Sequence, residues 1–151
     1  MTLKHVAVAV VGVCGIVVVG GLARVEARVG AQMTRSIWDG VYTAEQAERG
    51  GPLYASWCAL CHGGELEGGE TAPALVGGEF MWAWNGLSVG DLFERLRVSM
   101  PEGNPGDMSR SQKADVLAFL LARNDVPGGA DELRDRTPLL KPISFDAVRP
   151  K

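Results

Sequence analysis

Two cysteines and a histidine stand together in the stretch WCALCHGG, where Cys58 and Cys61 are three residues apart and His62 follows directly. This Cys-x-x-Cys-His order is typical of covalent attachment of a c-type haem. Each thiol can add to one vinyl group of the porphyrin, and the turn between the thiols brings both sulfurs to the same porphyrin edge. The imidazole of His62 then lies close enough to give the iron one axial nitrogen. The motif therefore predicts one covalently bound haem c.

The same two thiols could instead form a redox dithiol or half of a structural zinc site. A structural zinc ion takes four ligands, and the further Cys and His residues of the chain are Cys14 and His5, in or beside an apolar run. A thioredoxin-like dithiol is expected within a βαβ unit, and no such pattern surrounds the motif. These considerations favour the haem.

The composition of the 151 residues indicates one globular domain with an appendage. Lys and Arg number 15 against 18 Asp and Glu, and this formal net charge of −3 provides no basic surface for nucleic acid. After residue 23 the chain has no histidine or cysteine outside the motif, and no evident carboxylate pair. We therefore expect no enzymatic activity and no small-molecule substrate.

The N-terminal region contains an uncharged apolar run at residues 6–23, VAVAVVGVCGIVVVGGLA. Its length, at roughly 1.5 Å per helical residue, is close to the thickness of a bilayer's hydrocarbon core, so residues 1–23 are interpreted as a membrane anchor. The alternative is a secretory signal, for which Gly21-Leu22-Ala23 would be the small-x-small cleavage site. The segment 24–42 has no sustained period and is interpreted as a linker.

Capping signals and apolar periodicity predict three helices, near residues 44–57, 88–98 and 110–123. Each follows a capping-box pair, and the three pairs are Thr43 with Gln46, Ser88 with Asp91, and Ser109 with Gln112. Pro52 is expected to kink or restart the first helix. The glycine-rich stretch 63–80 is expected to be an irregular loop, and residues 125–151 an extended tail over the surface. With no alternating strand pattern, the fold class is all-α.

Residues 43–124 resemble the class I cytochrome c family. Beyond the Cys-x-x-Cys-His motif, Gly50 and Tyr54 stand eight and four residues before the first cysteine, as in that family. The resemblance implies a helical domain around one covalent haem, in which the first and last helices cross at the small residue, near Phe119. It also implies that the carbonyl of Pro73 accepts a hydrogen bond from the axial histidine. Pro52 is where the chain departs from the family pattern.

The second axial ligand is predicted to be Met100, because after residue 23 no other histidine exists. Met100 follows a predicted helix, precedes Pro101, and lies where the family places its methionine ligand. Met33 lies in the linker, while Met81 and Met108 are interpreted as packing residues. His/Met ligation raises the reduction potential of a haem. The open alternative is a loop methionine that only packs on an accessible haem.

Trp84 has two interpretations of about equal weight, a core residue or a donor from its indole N–H to a haem propionate. A cluster of acidic residues, Glu65, Glu67, Glu70 and Glu79, is interpreted as a solvated rim that could also steer a basic partner toward the haem edge.

Together these features predict an electron carrier with a His/Met-ligated haem, anchored through residues 6–23, with its haem domain in the periplasm. Its partners would be a redox donor and a redox acceptor. A soluble periplasmic protein after leader cleavage is the alternative location. A fixed cytochrome c subunit of a dehydrogenase or respiratory oxidase complex is the alternative function. A haem sensor or a peroxidase-like enzyme would require Met100 to be absent from the iron.

Overall fold

Two of the three predicted capping boxes, those at Ser88 and Ser109, form as the sequence predicts. A computed structural model describes residues 33–151, in which α1 spans Ala44–Trp57, α4 spans Val89–Ser99 and α5 spans Arg110–Arg123. Ser88 and Ser109 each accept a hydrogen bond from a backbone N–H one turn into their helix, and the N3 side chain reciprocates. The all-α prediction is confirmed in its main part, and the predicted bounds of α1 and α5 agree with the structure.

Two local expectations for α1 differ from the structure. The helix runs without interruption through Pro52, so the restart predicted there does not occur. The cap is also only half a capping box, since Thr43 Oγ1 accepts from the Gln46 N–H at 3.2 Å while the Gln46 side chain turns to Leu133. There its amide exchanges two hydrogen bonds with the Leu133 backbone, at 3.0 and 2.7 Å.

Helices α1 and α5 cross at Gly50, as predicted. A Cβ atom on Gly50 would lie only 2.1 Å from the carbonyl oxygen of Asp115 and 2.7 Å from the Cβ of Phe119. Only glycine permits so close an approach of two backbones. One turn further along α1, the rings of Tyr54 and Phe119 pack with their centroids 5.4 Å apart. This crossing fixes the first helix, and hence the cysteine motif that follows it, against the last.

Three shorter helices were not predicted. Helix α2, Ala59–His62, includes part of the cysteine motif, and α3, Gly77–Trp84, begins within the stretch expected to be an irregular loop. Helix α6, Thr137–Leu140, interrupts the expected extended tail. Two 3₁₀ turns, Ile37–Asp39 and Pro105–Asp107, complete the helical elements of residues 33–151.

The segments expected to be a linker and a surface tail pack into the core instead. Strand β1, Arg35–Ser36, pairs in parallel with strand β2, Ile143–Ser144. Eight apolar residues of the described parts of these segments are buried, namely Ile37, Val41, Tyr42, Val126, Leu133, Leu140, Ile143 and Phe145. Burial of these apolar side chains stabilises the packed arrangement, although the segments show no regular apolar pattern in the sequence.

The predicted anchor, residues 6–23, lies outside the described residues. Among residues 33–151, no helix is both long enough and apolar enough to cross a membrane.

Candidate functional site

One cavity brings together all the residues predicted to bind the cofactor. Its volume is about 450 Å³, within the roughly 300–1,000 Å³ typical of sites for small molecules and cofactors. The predicted residues that line it are Cys58, Cys61, His62, Pro73, Trp84 and Met100. Most of its wall is apolar, with contributions from Leu75, Phe80, Leu92, Leu96, Val116 and Leu120.

His62 ends α2 and is held in a single orientation by a loop carbonyl. Its Nδ1 lies 2.8 Å from the carbonyl oxygen of Pro73, and the side chain is buried against the cavity. When Nδ1–H donates to that oxygen, the neutral imidazole keeps its lone pair on Nε2, the nitrogen suited to bind a metal. This contact agrees with the role that the resemblance implies for Pro73, which stays a prediction until the loaded protein is tested.

The loop that carries Pro73 is in turn fixed by a buried asparagine that the sequence did not single out. Asn124, at the end of α5, donates to the carbonyls of Leu75 at 3.0 Å and Leu120 at 2.8 Å. Its side-chain oxygen accepts from the backbone N–H of Gly77 at 2.9 Å. An asparagine directly after a helix ordinarily indicates a cap. The sequence therefore gave no sign that this side chain would bond to the backbone of Leu75 and Gly77.

Tyr54 fixes the backbone on the other side of the motif. Its hydroxyl donates to the carbonyl oxygen of Gly63, the residue directly after His62, at 2.6 Å. Burial, with smaller contributions from Cys58 and Glu67, raises the pKa of Tyr54 to about 12. The phenol therefore stays protonated and keeps donating over the whole neutral range.

The two cysteines differ in exposure, and the surroundings of Cys58 disfavour its thiolate form. Cys58 is half-buried, whereas Cys61 lies at the surface. Burial, and then the neighbouring Cys61, raises the pKa of the Cys58 thiol to about 11. A redox dithiol or a zinc ligand needs the thiolate, which this environment disfavours. Within residues 33–151, moreover, no cluster of three or more His, Cys, Asp and Glu side chains could hold a metal ion.

The four methionines after the N-terminal run have distinct surroundings. Met100 lies at the C-terminal cap of α4 in extended backbone, its N–H donating to Leu96 O at 3.2 Å, and it lines the cavity. Met108 also lines the cavity, but is 6% exposed and packed in a cluster of Tyr54, Leu66, Val116 and Leu120. Met33 is exposed and Met81 is buried in the main core. Among residues 33–151, Met100 and Met108 are therefore the two thioethers that line this cavity.

Two cationic side chains line the cavity that the sequence interpretation missed, Arg95 and Lys113. Arg95 lies on α4 at helical spacing with Leu92, Leu96 and Ser99, which also line the cavity. A guanidinium is suited to bind carboxylates such as the propionates of a haem. The spacing of i, i+3, i+4 and i+7 along α4 was the signal that could have identified it.

The donor set fits a c-type haem. Two thiols three residues apart, an imidazole oriented through its second nitrogen and a thioether on a separate loop match the covalent and axial bonds of that group. The apolar wall suits the porphyrin faces, and Trp84 and Arg95, whose side chains carry N–H donors, also line the cavity.

Comparisons with known proteins agree with this chemistry. Residues 45–120 match the family model described as cytochrome c oxidase, cbb3-type, subunit III. The chain is also similar to a protein named cytochrome bc1 complex cytochrome c subunit from Corynebacterium efficiens, at 27% identity over 101 residues. That alignment covers 64% of this chain and 32% of the relative, so the chain matches about a third of the relative's length. No solved structure gives a significant match.

Proposed function

The chain belongs to the class I cytochrome c family, and on that premise we propose that it carries single electrons on one haem, bound through Cys58 and Cys61 and ligated by His62 and Met100. Family membership makes it an electron-carrying haem protein and not an enzyme. The haem number, the ligands and the partners are the proposal. The observation that best supports it is the meeting of both thiols, the oriented imidazole and a thioether around one apolar cavity.

The proposal gives a role to the predicted iron ligands, to the polar donors and to the apolar wall of the cavity. A bound haem supplies a one-electron couple, because its iron alternates between ferrous and ferric states. His62 gives the Nε2 lone pair while Nδ1–H remains donated to Pro73. Met100 gives a soft sulfur that favours ferrous iron and raises the reduction potential. Trp84 and Arg95 donate toward the propionates, and the apolar wall excludes water.

The surface at the cysteine motif is suited to brief contact with redox partners. Leu60, between the two cysteines, is 97% exposed, and the neighbouring Trp57 is 40% exposed. The sulfur-bearing edge of the haem would lie at this surface, since Cys61 is itself exposed. Three exposed carboxylates follow closely in the chain, Glu65, Glu67 and Glu70. We propose that a partner with a basic rim docks here, because opposite charges speed encounter.

We further propose that residues 6–23 anchor the protein in a membrane, with the haem domain in the periplasm, or that the leader is cleaved to release it there. Attachment of haem to a Cys-x-x-Cys-His motif, as the family resemblance implies, takes place on the outer side of an energy-transducing membrane. The mass of the mature chain distinguishes anchor from cleaved signal.

A second candidate is a fixed subunit of a respiratory complex, which is favoured by the similarity to a cbb3-type oxidase subunit III model and to a bc1 complex cytochrome c subunit. Mild detergent extraction of native membranes, followed by size exclusion with haem detection, separates the two candidates. A carrier would elute alone at the size of its own micelle. A subunit would elute with other polypeptides in a fixed ratio.

Covalent attachment is the first test of the proposal. Acidified organic solvent should leave the haem on the denatured native chain, and Cys58→Ala or Cys61→Ala should each leave a single thioether. The matched control is Cys14→Ala, which removes a thiol outside the motif and should change nothing. Complete extraction of haem from the native chain would exclude the proposed attachment.

A further inference from the structure

Lys113 is a buried cation at the wall of the cavity, and no residue of the 33–151 region gives it a counter-charge within salt-bridge distance. It lies in the first turns of α5, is 2% exposed and lines the same cavity as Met100. Its Nζ donates to the carbonyl oxygens of Leu96 and Arg97, both at 3.0 Å, and of Pro105 at 2.7 Å. A buried ammonium is costly unless its hydrogen bonds are satisfied, so the position calls for an explanation.

The geometry fits the charged form of the side chain. An ammonium has three N–H donors, and here three carbonyl oxygens accept them. A neutral amine would have to turn its lone pair toward one of these oxygens. Desolvation by burial, followed by the nearby charge of Arg97, lowers the pKa of Lys113. The last carbonyl groups of α4 oppose this lowering, because the C-terminal end of a helix carries partial negative charge and so favours the ammonium form.

The three acceptors lie on both sides of Met100 in the sequence. Leu96 and Arg97 belong to the last turn of α4, and Pro105 begins the 3₁₀ turn that follows the Met100 loop. One side chain therefore connects the last turn of α4 to the start of the 3₁₀ turn, on the two sides of the loop 100–104. The backbone N–H of Met100 also donates a hydrogen bond to the carbonyl oxygen of Leu96. Loss of the Lys113 contacts would release the far end of the loop.

We propose that Lys113 is a positioning residue for Met100, acting as a clamp that closes the loop 100–104 and would keep the thioether on the iron. This inference rests on the proposed function, in which Met100 is the second axial ligand. Lys113 does not touch the iron. It acts by limiting the opening of the loop, and so by limiting the access of competing ligands to the sixth coordination position.

The test compares binding of free imidazole to the ferric holoprotein in the native chain and in Lys113→Met. Methionine keeps the length of the side chain but removes the three donors. Imidazole affinity should rise about tenfold or more, the factor that corresponds to losing a single hydrogen bond from a charged donor. The absorption band of the thioether–iron bond should weaken in the same variant. Lys113→Gln, a milder change, should give an intermediate affinity.

The matched control is Gln46→Met. Gln46 is also 2% exposed and makes two hydrogen bonds to a backbone, but it does not line the haem cavity. This variant should lose stability without any change in imidazole affinity. If Gln46→Met raises the affinity as much as Lys113→Met, general loosening explains the effect and the clamp is wrong.

Native-like imidazole affinity in either Lys113 variant overturns the inference. If only one of the two variants accumulates as holoprotein, that variant alone is enough for the test. The native protein separates this failure from failure of the proposed function. If the native ferric protein lacks the thioether–iron band, Met100 is not a ligand and the proposed ligation fails first. If the band is present and the Lys113 variants keep it, only the clamp fails.

Discussion

The close crossing of α1 and α5 makes Gly50 the position where the smallest addition should have a large effect. A Cβ there would lie 2.1 Å from Asp115 O, against an ordinary contact of at least 3.4 Å, so the two backbones must separate by about 1.3 Å. The neighbouring atoms at 2.7 Å are Asp115 C and Phe119 Cβ, neither of which can rotate away. The crossing must therefore move as a whole.

The expected cost follows from two opposing terms. Overpacking a well-packed core costs typically about 1–3 kcal/mol, and a backbone clash without a flexible neighbour belongs at the upper end of that range. Replacing glycine by alanine within a helix stabilises the protein by about 1 kcal/mol, because alanine has the higher helix propensity. Gly50→Ala should thus lower the free energy of unfolding by about 2 kcal/mol.

Denaturant unfolding of the holoprotein, followed by circular dichroism, measures this difference, and Gly51→Ala is the matched control. At Gly51 the nearest atoms to an added Cβ are ring carbons of Phe119 at 3.6 and 3.7 Å, which is ordinary contact. Gly51→Ala gains the same propensity without the clash, so it should be neutral or stabilising by up to about 1 kcal/mol. Equal stability of the two variants would refute the packing argument.

Three further predictions concern the supports of the fold. Asn124→Ala removes three hydrogen bonds, two of which tie α5 to the loop that follows Pro73, and should cost about 1–3 kcal/mol in denaturant unfolding. A loss within about 0.5 kcal/mol would contradict its structural role. Leu120→Ala, at a nearly fully buried position, should cost about 2–5 kcal/mol, while Leu60→Ala at the exposed motif should stay within about 0.5 kcal/mol. The Asp91 carboxylate accepts hydrogen bonds from Lys141 and then from Ser88, and these lower its pKa to about 2. The stability that this carboxylate contributes is therefore present above its ordinary pKa of 3.8 and is lost as the pH falls toward 2. Unfolding titrations between pH 5 and about 2 should show a modest loss that Asp91→Asn lacks, modest because the pair is partly exposed; parallel curves for both proteins would exclude this linkage.

The parts of the fold predicted correctly from the sequence depend on local signals. Ser88 and Ser109 cap the helix that directly follows them, so each of these signals is contained within a few residues. The crossing at Gly50 was predicted through the family resemblance instead. Gln46 shows the limit of such reasoning. It completes a capping pattern in the sequence, yet its side chain binds Leu133, because a buried amide needs two partners and the distant backbone offers both.

Residues 24–42 were interpreted as a linker because they show no sustained period, and residues 125–151 as an extended tail because they contain four prolines. Ile37 and Phe145 are nevertheless completely buried, since each fills a space made by several elements at once. Such burial depends on the assembled core and leaves no pattern within the segment itself. The two-residue strands Arg35–Ser36 and Ile143–Ser144 are likewise too short for alternation to show.

The candidate site divides in the same way. The cysteine motif was identifiable because three functional residues are contiguous, whereas Pro73 and Met100 were assigned through the family resemblance. Lys113 and Arg95 were missed because a lone cation on an amphipathic helix ordinarily indicates a solvated face. Only the packing of α5 against the end of α4 turns Lys113 inward.

Carbon monoxide binding to the reduced holoprotein, compared between Met100→Ala and Met108→Ala, tests the central claim most directly. Both thioethers line the cavity, but only the one on the iron closes the sixth position. Met100→Ala should bind carbon monoxide rapidly and show a lowered reduction potential, while the native protein and Met108→Ala stay closed and Met108→Ala loses only packing stability. Rapid binding by the native protein, or by Met108→Ala but not by Met100→Ala, would contradict the proposed ligation.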